Sequence, residues 1–358
     1  MNKFVFLIIL FLSSIHFCFS QTKVVKVNAV KSNDYGVQYS LPKTNLDIHI
    51  EYSKIVQKAG PYARYASRYL GINDSEVILE DQIYFTLDKV SVTETGIPDT
   101  DKTYLVLFKS KTTAPFVYLT EDGLICSINT EYIPENKKTI TDEKPISKAP
   151  EINPQSIFTE EYLRAGSVSK MAEVAAKNIY KIRESRQDIL TGEVDNVPKD
   201  GEAMKIILAN LDAQEKLWTE LFTGSSETTK LNKVIHKEPN SEITKEILLR
   251  FSKYLGFVDS EDLSGSPIYI NLKDLHSVEI PEEDPKRKSK EPESIVYNIP
   301  GKAEIEIYNG VQKIYSSTVN VTQFGTTQIL GTSIFEDKKA PVQILFYPTS
   351  GSIKQIIQ

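Results

Sequence analysis

The stretches SRYLGINDSEVILEDQIYFTLDKV, residues 67–90, and SKYLGFVDSEDLSGSPIYINLKDL, residues 252–275, lie 185 positions apart and read as two versions of one segment. Laid on each other without a gap they agree at ten of 24 positions. Ser67, Tyr69, Leu70, Gly71, Asp74, Ser75, Glu76, Ile83, Tyr84 and Leu87 each meet an identical partner. Repeated sequence signals repeated supersecondary structure. The shared Tyr-Leu-Gly has a physical reading, in which an apolar pair closes a helix and glycine takes the left-handed position after it. The plain alternative is a chance match between two unrelated helix-to-strand transitions.

Each copy follows a strand-like run and then a helix-like run. Before Gly71, Leu46-Asp47-Ile48-His49-Ile50 alternates as a half-buried strand does. Gly60-Pro61 breaks the chain there, and Tyr62 to Leu70 carries a short helical pattern. Before Gly256, residues 243–255 also read as helical. Beyond the first copy, Tyr104–Phe108, Phe116–Leu119 and Leu124–Ile128 are strand-like, and Asp122-Gly123 between the last two is a hairpin signal. Ser350-Gly351-Ser352 before Ile353 repeats that turn near the end of the second half.

Between the copies the apolar period changes to threes and fours. Val168, Met171, Ala175, Ile179 and Ile182 mark one helix, and Met204, Ile207, Leu208, Leu211, Trp218 and Leu221 a second. Glu173 with Lys177 and Asp212 with Lys216 favour solvated faces. Asp200 is placed to cap the second helix and Gly224 to end it. The two are expected to fold back as an antiparallel hairpin with arms of about 30 Å.

The expected fold class is therefore α+β. Two related β-rich units, sandwich or barrel-like and each with a short helix, are separated by a long antiparallel helical hairpin. The expected divisions are a signal peptide at 1–20, an N-terminal β-rich unit at 21–133, a linker at 134–156, the helical hairpin at 157–224 and a C-terminal β-rich unit at 225–358. The linker is punctuated by Pro134, Pro145, Pro150 and Pro154, and PEEDPKRKSKEPES at 281–294 reads as a mobile loop.

MNKFVFLIILFLSSIHFCFS at the N-terminus pairs Lys3 with an unbroken apolar run from Phe4 to Leu12, and Ser20 precedes a plausible cut. The run suits a signal-peptide core and is short of the roughly 20 residues a membrane span takes. After it no apolar stretch approaches spanning length. Loss of Lys3 takes the formal charge from −6 to −7, which gives no electrostatic drive toward nucleic acid. One cysteine remains, Cys126, in the alternating run Leu124–Ile128, where it reads as a small buried apolar residue. An exported chain with a single cysteine relies on its core for stability.

YSLPKT (39–44), GPYARYASRYLG (60–71), IRESRQDILTGEVDNVPKDGEAM (182–204), QEKLWTELFTG (214–224), NIPGKAEIEIY (298–308) and YPTSGSIKQI (347–356) resemble a family of exported Bacteroidota proteins known only as domain of unknown function 4831. The 182–204 stretch is the most specific. The resemblance implies a Gram-negative envelope, hence the periplasm or the outer cell surface, and it implies no reaction.

The hairpin tip carries the most unusual local chemistry. Arg183 and Arg186 share a helix face, and the tip supplies Glu193, Asp195, Asp200 and Glu202. Arg183, Arg186, Asp195 and Asp200 form the candidate ligand- or partner-binding set. The structural alternative is that Arg186 pairs with a tip acid and pins the turn. His49, His236 and His276 are far apart in sequence, and neither HExxH nor a calcium loop occurs, so no metal and no cofactor is expected. No Gly-x-Ser-x-Gly elbow and no phosphate loop occurs. Tyr62, Tyr65, Tyr69, Tyr84 and Tyr104 raise a carbohydrate platform, against ordinary packing of tyrosine in strands and cores.

The leading functional reading is a non-enzymatic envelope protein, a structural or interaction module whose partner is another envelope protein. The second is a ligand-binding protein for glycans or another small envelope component. The third is a hydrolase with an unrecognised carboxylate pair.

Overall fold

The computed structural model describes residues 21–26, 37–109, 117–134, 157–193, 201–280, 295–331 and 342–357. Residues 1–20, expected as a signal peptide, residues 135–156 of the expected linker, Asp195 and Asp200 of the expected hairpin tip, and the stretch 281–294 expected as a loop lie outside the described residues.

Two strands form the spine, β2 (Val37–Lys58) and β3 (Gln82–Lys109), paired antiparallel along most of their length. β1 (Gln21–Lys26) joins the outer edge of β3, and β6 (Ser225–Lys237) runs along β2, giving a sheet of order β1-β3-β2-β6. A second antiparallel sheet contains β7 (Ile243–Ser252), β8 (Gly256–Val258), β9 (Ser266–Asp274), β10 (Val296–Asn309) and β11 (Gln312–Ile329), in the order β11-β10-β9-β7-β8. These sheets pack face to face. Leu46, Ile48 and Ile50 of β2 meet Ile268, Ile270 and Leu272 of β9 and Ile305 and Ile307 of β10. The strict period of two puts every one of these side chains on the inner face.

A third sheet closes one end. It consists of β4 (Val117–Leu119), β5 (Ile125–Ile128), β12 (Gln343–Phe346) and β13 (Ile353–Ile357), in the order β13-β12-β5-β4. The two turns that resemble each other in sequence, around Gly123 and Gly351, belong to the two hairpins of this sheet, and the hairpins pair through β5 and β12. A second core forms under it from Tyr39, Leu41, Val106, Ile125, Ile128, Ile344 and Phe346. β2 and β3 serve both cores. Between the cores Pro42 faces Pro98, and the register shifts between Ser40 and Pro42. Proline cannot complete the ladder, which accounts for the irregular pairing there.

The strands are thus shared between the halves of the chain, not divided at residue 225 as the sequence pattern suggests. β6 starts at that boundary and hydrogen-bonds along β2, and β12 from the C-terminal end pairs with β5. Unpaired strand edges need partners, and here each half supplies them to the other.

The other correction falls on residues 243–255. They form β7 and a turn, not a helix. Ile247, Leu248 and Phe251 fit a helical period, but Leu249 and Phe251 alternate into the core between the sheets. Register shifts on either side of Glu246 and Ile247 absorb the irregular spacing of the apolar residues.

A helical layer covers the other end, with α1 (Ala66–Leu70), α2 (Glu160–Leu163), α3 (Val168–Thr191) and α4 (Gly201–Thr223). Tyr62, Ala66, Tyr162, Ala172, Ala175, Ile179, Trp218 and Phe222 are its buried centre. The Ser167 side chain accepts from the Lys170 amide at the start of α3, and Gly192 ends that helix at φ 78°. Backbone ties the connection between β2 and β3 to α4, since Tyr62 N–H donates to the Leu221 carbonyl and Ile78 N–H to that of Thr223, both at 2.8 Å. A side chain at Gly60 would put Cβ 2.5 Å from the Leu221 oxygen, so this approach requires glycine.

Both repeat glycines are left-handed, Gly71 at φ 67° and Gly256 at φ 75°. Gly71 lies in the connection from β2 to β3, and Gly256 opens β8 directly after the turn that follows β7. The copies also touch. Phe85 N–H donates to the Lys253 carbonyl at 2.7 Å, and the Phe85 ring would lie 3.3 Å from a Cβ at Gly256.

Candidate functional site

Arg183 and Arg186 of α3 meet carboxylates of α4. Arg183 Nε donates to Glu215 Oε1 at 2.6 Å. Arg186 bonds Glu215 and also reaches Asp212 Oδ1 at 2.9 Å. Asp212 and Glu215, one turn apart on α4, face the same stripe of α3, while the candidate acids Asp195 and Asp200 lie outside the described residues. The pairs 183–215 and 186–212 step in opposite directions along the two helices. Asp212 was expected to pair with Lys216, which instead lies 3.8 Å from Glu220. Glu193 is exposed, and Glu202 bonds Lys205 within its own helix.

Burial pushes the Glu215 carboxyl up, but hydrogen bonds and charge from Arg183 and Arg186 outweigh it and hold the group below the usual carboxylate range. Around the cluster is an open cleft of 450 Å³ lined by Arg183, Arg186, Asp212, Glu215, Thr219 and Glu220. Its cationic and acidic groups are largely engaged with one another. Arg186 Nε, Asn178 Nδ2 and Thr219 Oγ1 are buried without a partner among the described residues, so the seam between the helices is polar and incompletely satisfied.

The other singled-out residues separate. Tyr62 is buried in the helical layer with its hydroxyl 2.6 Å from that of Tyr162. Tyr69 lies tilted beside Tyr65 and reaches Ser169, and Tyr104 is buried beside Tyr39. Tyr84 lies under Lys253, 5.5 Å from its ring centre. These five tyrosines build no common platform. Cys126 is fully buried, and desolvation raises its thiol to about 11. His236 bonds Asp47 at 2.6 Å, His49 bonds Thr93, and His276 faces Asp274. Among the described residues no group of three or more His, Cys, Asp or Glu is placed to hold a metal ion. No described helix is long and apolar enough to cross a membrane.

A hollow that the sequence did not single out lies on the outer face of the second sheet. It measures 560 Å³ and is lined by Lys245, Pro267, Tyr269, Asn271, Tyr308 and Val311 with Gly310. Tyr269 of β9 and Tyr308 of β10 are direct cross-strand partners. The Tyr308 hydroxyl donates to Glu306 at 2.9 Å, and Lys313 bonds the other Glu306 oxygen at 2.7 Å. Those bonds hold the Glu306 carboxyl low and push the Tyr308 phenol up. The only sequence signal for the site is alternation, since Tyr269 and Asn271 occupy the outward positions between Ile268, Ile270 and Leu272.

Fold and sites together define an antiparallel β protein of several open sheets with a helical layer in which two arginines of α3 pair with carboxylates of α4. The chain belongs to the family described as Domain of unknown function (DUF4831), which matches residues 35–354. No curated protein and no solved structure matches the chain.

Proposed function

We propose that the chain is an exported envelope protein that acts without catalysis, as an interaction module docking a partner protein through the outer part of its helices. In this reading α3 and α4 are one antiparallel hairpin, as their sequence periodicity suggests. One observation carries it. α3 buries no residue beyond Ile179, and α4 buries none before Trp218. These outer parts nonetheless expose Leu190 and Ile206, each at 61%, with Ile189, Met204, Ile207 and Leu208 half-buried beside them. Apolar surface gathered on an arm that adds little to the core fits a docking surface. The Arg183–Arg186–Glu215 cluster lies between the buried base and this outer part, and stiffens the arm without competing for the partner.

Deleting the helices would strip cover from Tyr62 and Ala66, so substitutions are the better test. The double variant Leu190→Glu, Ile206→Glu should fold with an unchanged melting temperature and lose the proteins that the wild-type chain captures from envelope extract. An unchanged set of captured proteins would overturn the docking role. The ligand-binding reading has its own supporting observation, the hollow around Tyr269 and Tyr308.

A further inference from the structure

We infer that the hollow on the outer face of the second sheet binds a pyranose ring bearing a carboxylate, such as a uronic-acid unit of a glycan. The ring's C–H face would lie on Tyr269 and Tyr308 and its carboxylate on Lys245. This goes beyond the docking role of the helices and is independent of it.

The shape comes from three strands. Tyr269 and Asn271 stand on β9, Tyr308 stands opposite Tyr269 on β10, and Lys245 rises from β7 on the other side. The turn at Gly310 closes the end, its N–H donating to the Pro267 carbonyl at 3.0 Å. Val311 beside it is fully exposed. A hollow of 560 Å³ with aromatic walls and few polar groups has the size and make-up of a small-molecule site.

The polar groups select the ligand. Glu306 is already bonded by Tyr308 and Lys313. Lys245 has no ion-pair partner among the described residues, so the hollow presents one uncompensated positive charge. The Tyr269 hydroxyl likewise has no protein partner among the described residues. An apolar peptide side chain would bury both groups without bonds, at a cost. A sugar ring supplies C–H groups for the aromatic rings and hydroxyls for the Tyr269 phenol, and a carboxylate answers the ammonium.

Lys245 is also held in an unfavourable backbone shape. Its φ is 49°, a conformation that residues other than glycine, asparagine and aspartate avoid. The Asn271 side chain fixes it, accepting from the Lys245 N–H at 2.7 Å. A strained residue pinned at the rim of a hollow fits a positioning role.

The test is fluorine NMR on the full chain with labelled tyrosines, titrated with methyl β-D-glucuronide and with methyl β-D-glucoside. Tyr269→Phe and Tyr308→Phe assign the two signals. The glucuronide should shift both and bind more tightly than the glucoside. Lys245→Asn, which tolerates the left-handed backbone, should weaken the glucuronide by about tenfold and leave the glucoside unchanged. The proposal is overturned if neither sugar shifts the two tyrosines at tens of millimolar. It is also overturned if Lys245→Asn binds the glucuronide as wild type does, or if acetyl-Leu-Phe-amide occupies the hollow in preference to both sugars.

Discussion

Gly71 follows the helix α1, whereas Gly256 follows the strand β7 and a turn, although the residues around the two are the same in ten places. What they share is the left-handed glycine and the strand beyond it. One left-handed residue serves equally to end a helix and to reverse a hairpin, so Tyr-Leu-Gly specifies the stop and leaves open what is stopped. The difference is one of chain length and company. Ile55 and Tyr84, which face each other in the first copy, are 29 residues apart, and Ile247 and Tyr269 in the second are 22 apart. The longer connection reaches the helical layer and coils against Trp218 and Phe222. The shorter one turns back on the sheet, where Phe85 of the first copy supports it.

The largest effect should come from separating the copies. Residues 225–358 made alone lack β2 as the neighbour of β6 and β5 as the neighbour of β12. This fragment should show no cooperative unfolding by circular dichroism. A sharp transition would mean that the second half is a unit in its own right. Next, Trp218→Ala removes the centre of the layer on which only the first copy depends, and should cost about 3–5 kcal/mol. Hydrogen exchange should then rise at residues 62–77 and in α3 while 243–258 stays protected. Equal loss at both copies would erase the contrast.

The glycines themselves should respond unequally. Gly256→Ala meets the Phe85 ring at 3.3 Å as well as the left-handed strain, and should cost about 2–3 kcal/mol. Gly71→Ala meets nothing within 4 Å and should cost about 1–2 kcal/mol, both read from denaturant midpoints. The smallest effect concerns acid. The folded-state pKa of Glu215 is depressed, so the stability it adds is fully present above its unfolded value, near 4.3, and is lost as pH falls through the folded value. Glu215→Gln should therefore lie below wild type at neutral pH by about 1 kcal/mol and approach it below about pH 4. A gap that persists at low pH would assign the loss to packing.

These contrasts show where sequence reading holds. The alternation Leu46-Asp47-Ile48-His49-Ile50 is a strand with its three apolar residues buried, and the helical stripes around Ile179 and Trp218 are helices. Their spacing names one period only. Ile243–Leu255 fits two periods, and the core between the sheets chose the strand. Arg183 and Arg186 were legible as a pair on one face, but their partners Asp212 and Glu215 depended on how α3 and α4 align. The Tyr269–Tyr308 hollow was not legible, because its residues come from strands joined only by register.

Local chemistry written in the chain settled the strand and helix periods, the left-handed glycines and the burial of Cys126, since each depends on a few neighbouring residues. Tertiary structure alone settled which strand edges meet, which carboxylates answer the arginines and which tyrosines share a face. Those outcomes bring together residues far apart in sequence, and they follow from the closure of edges and cores that no short stretch contains.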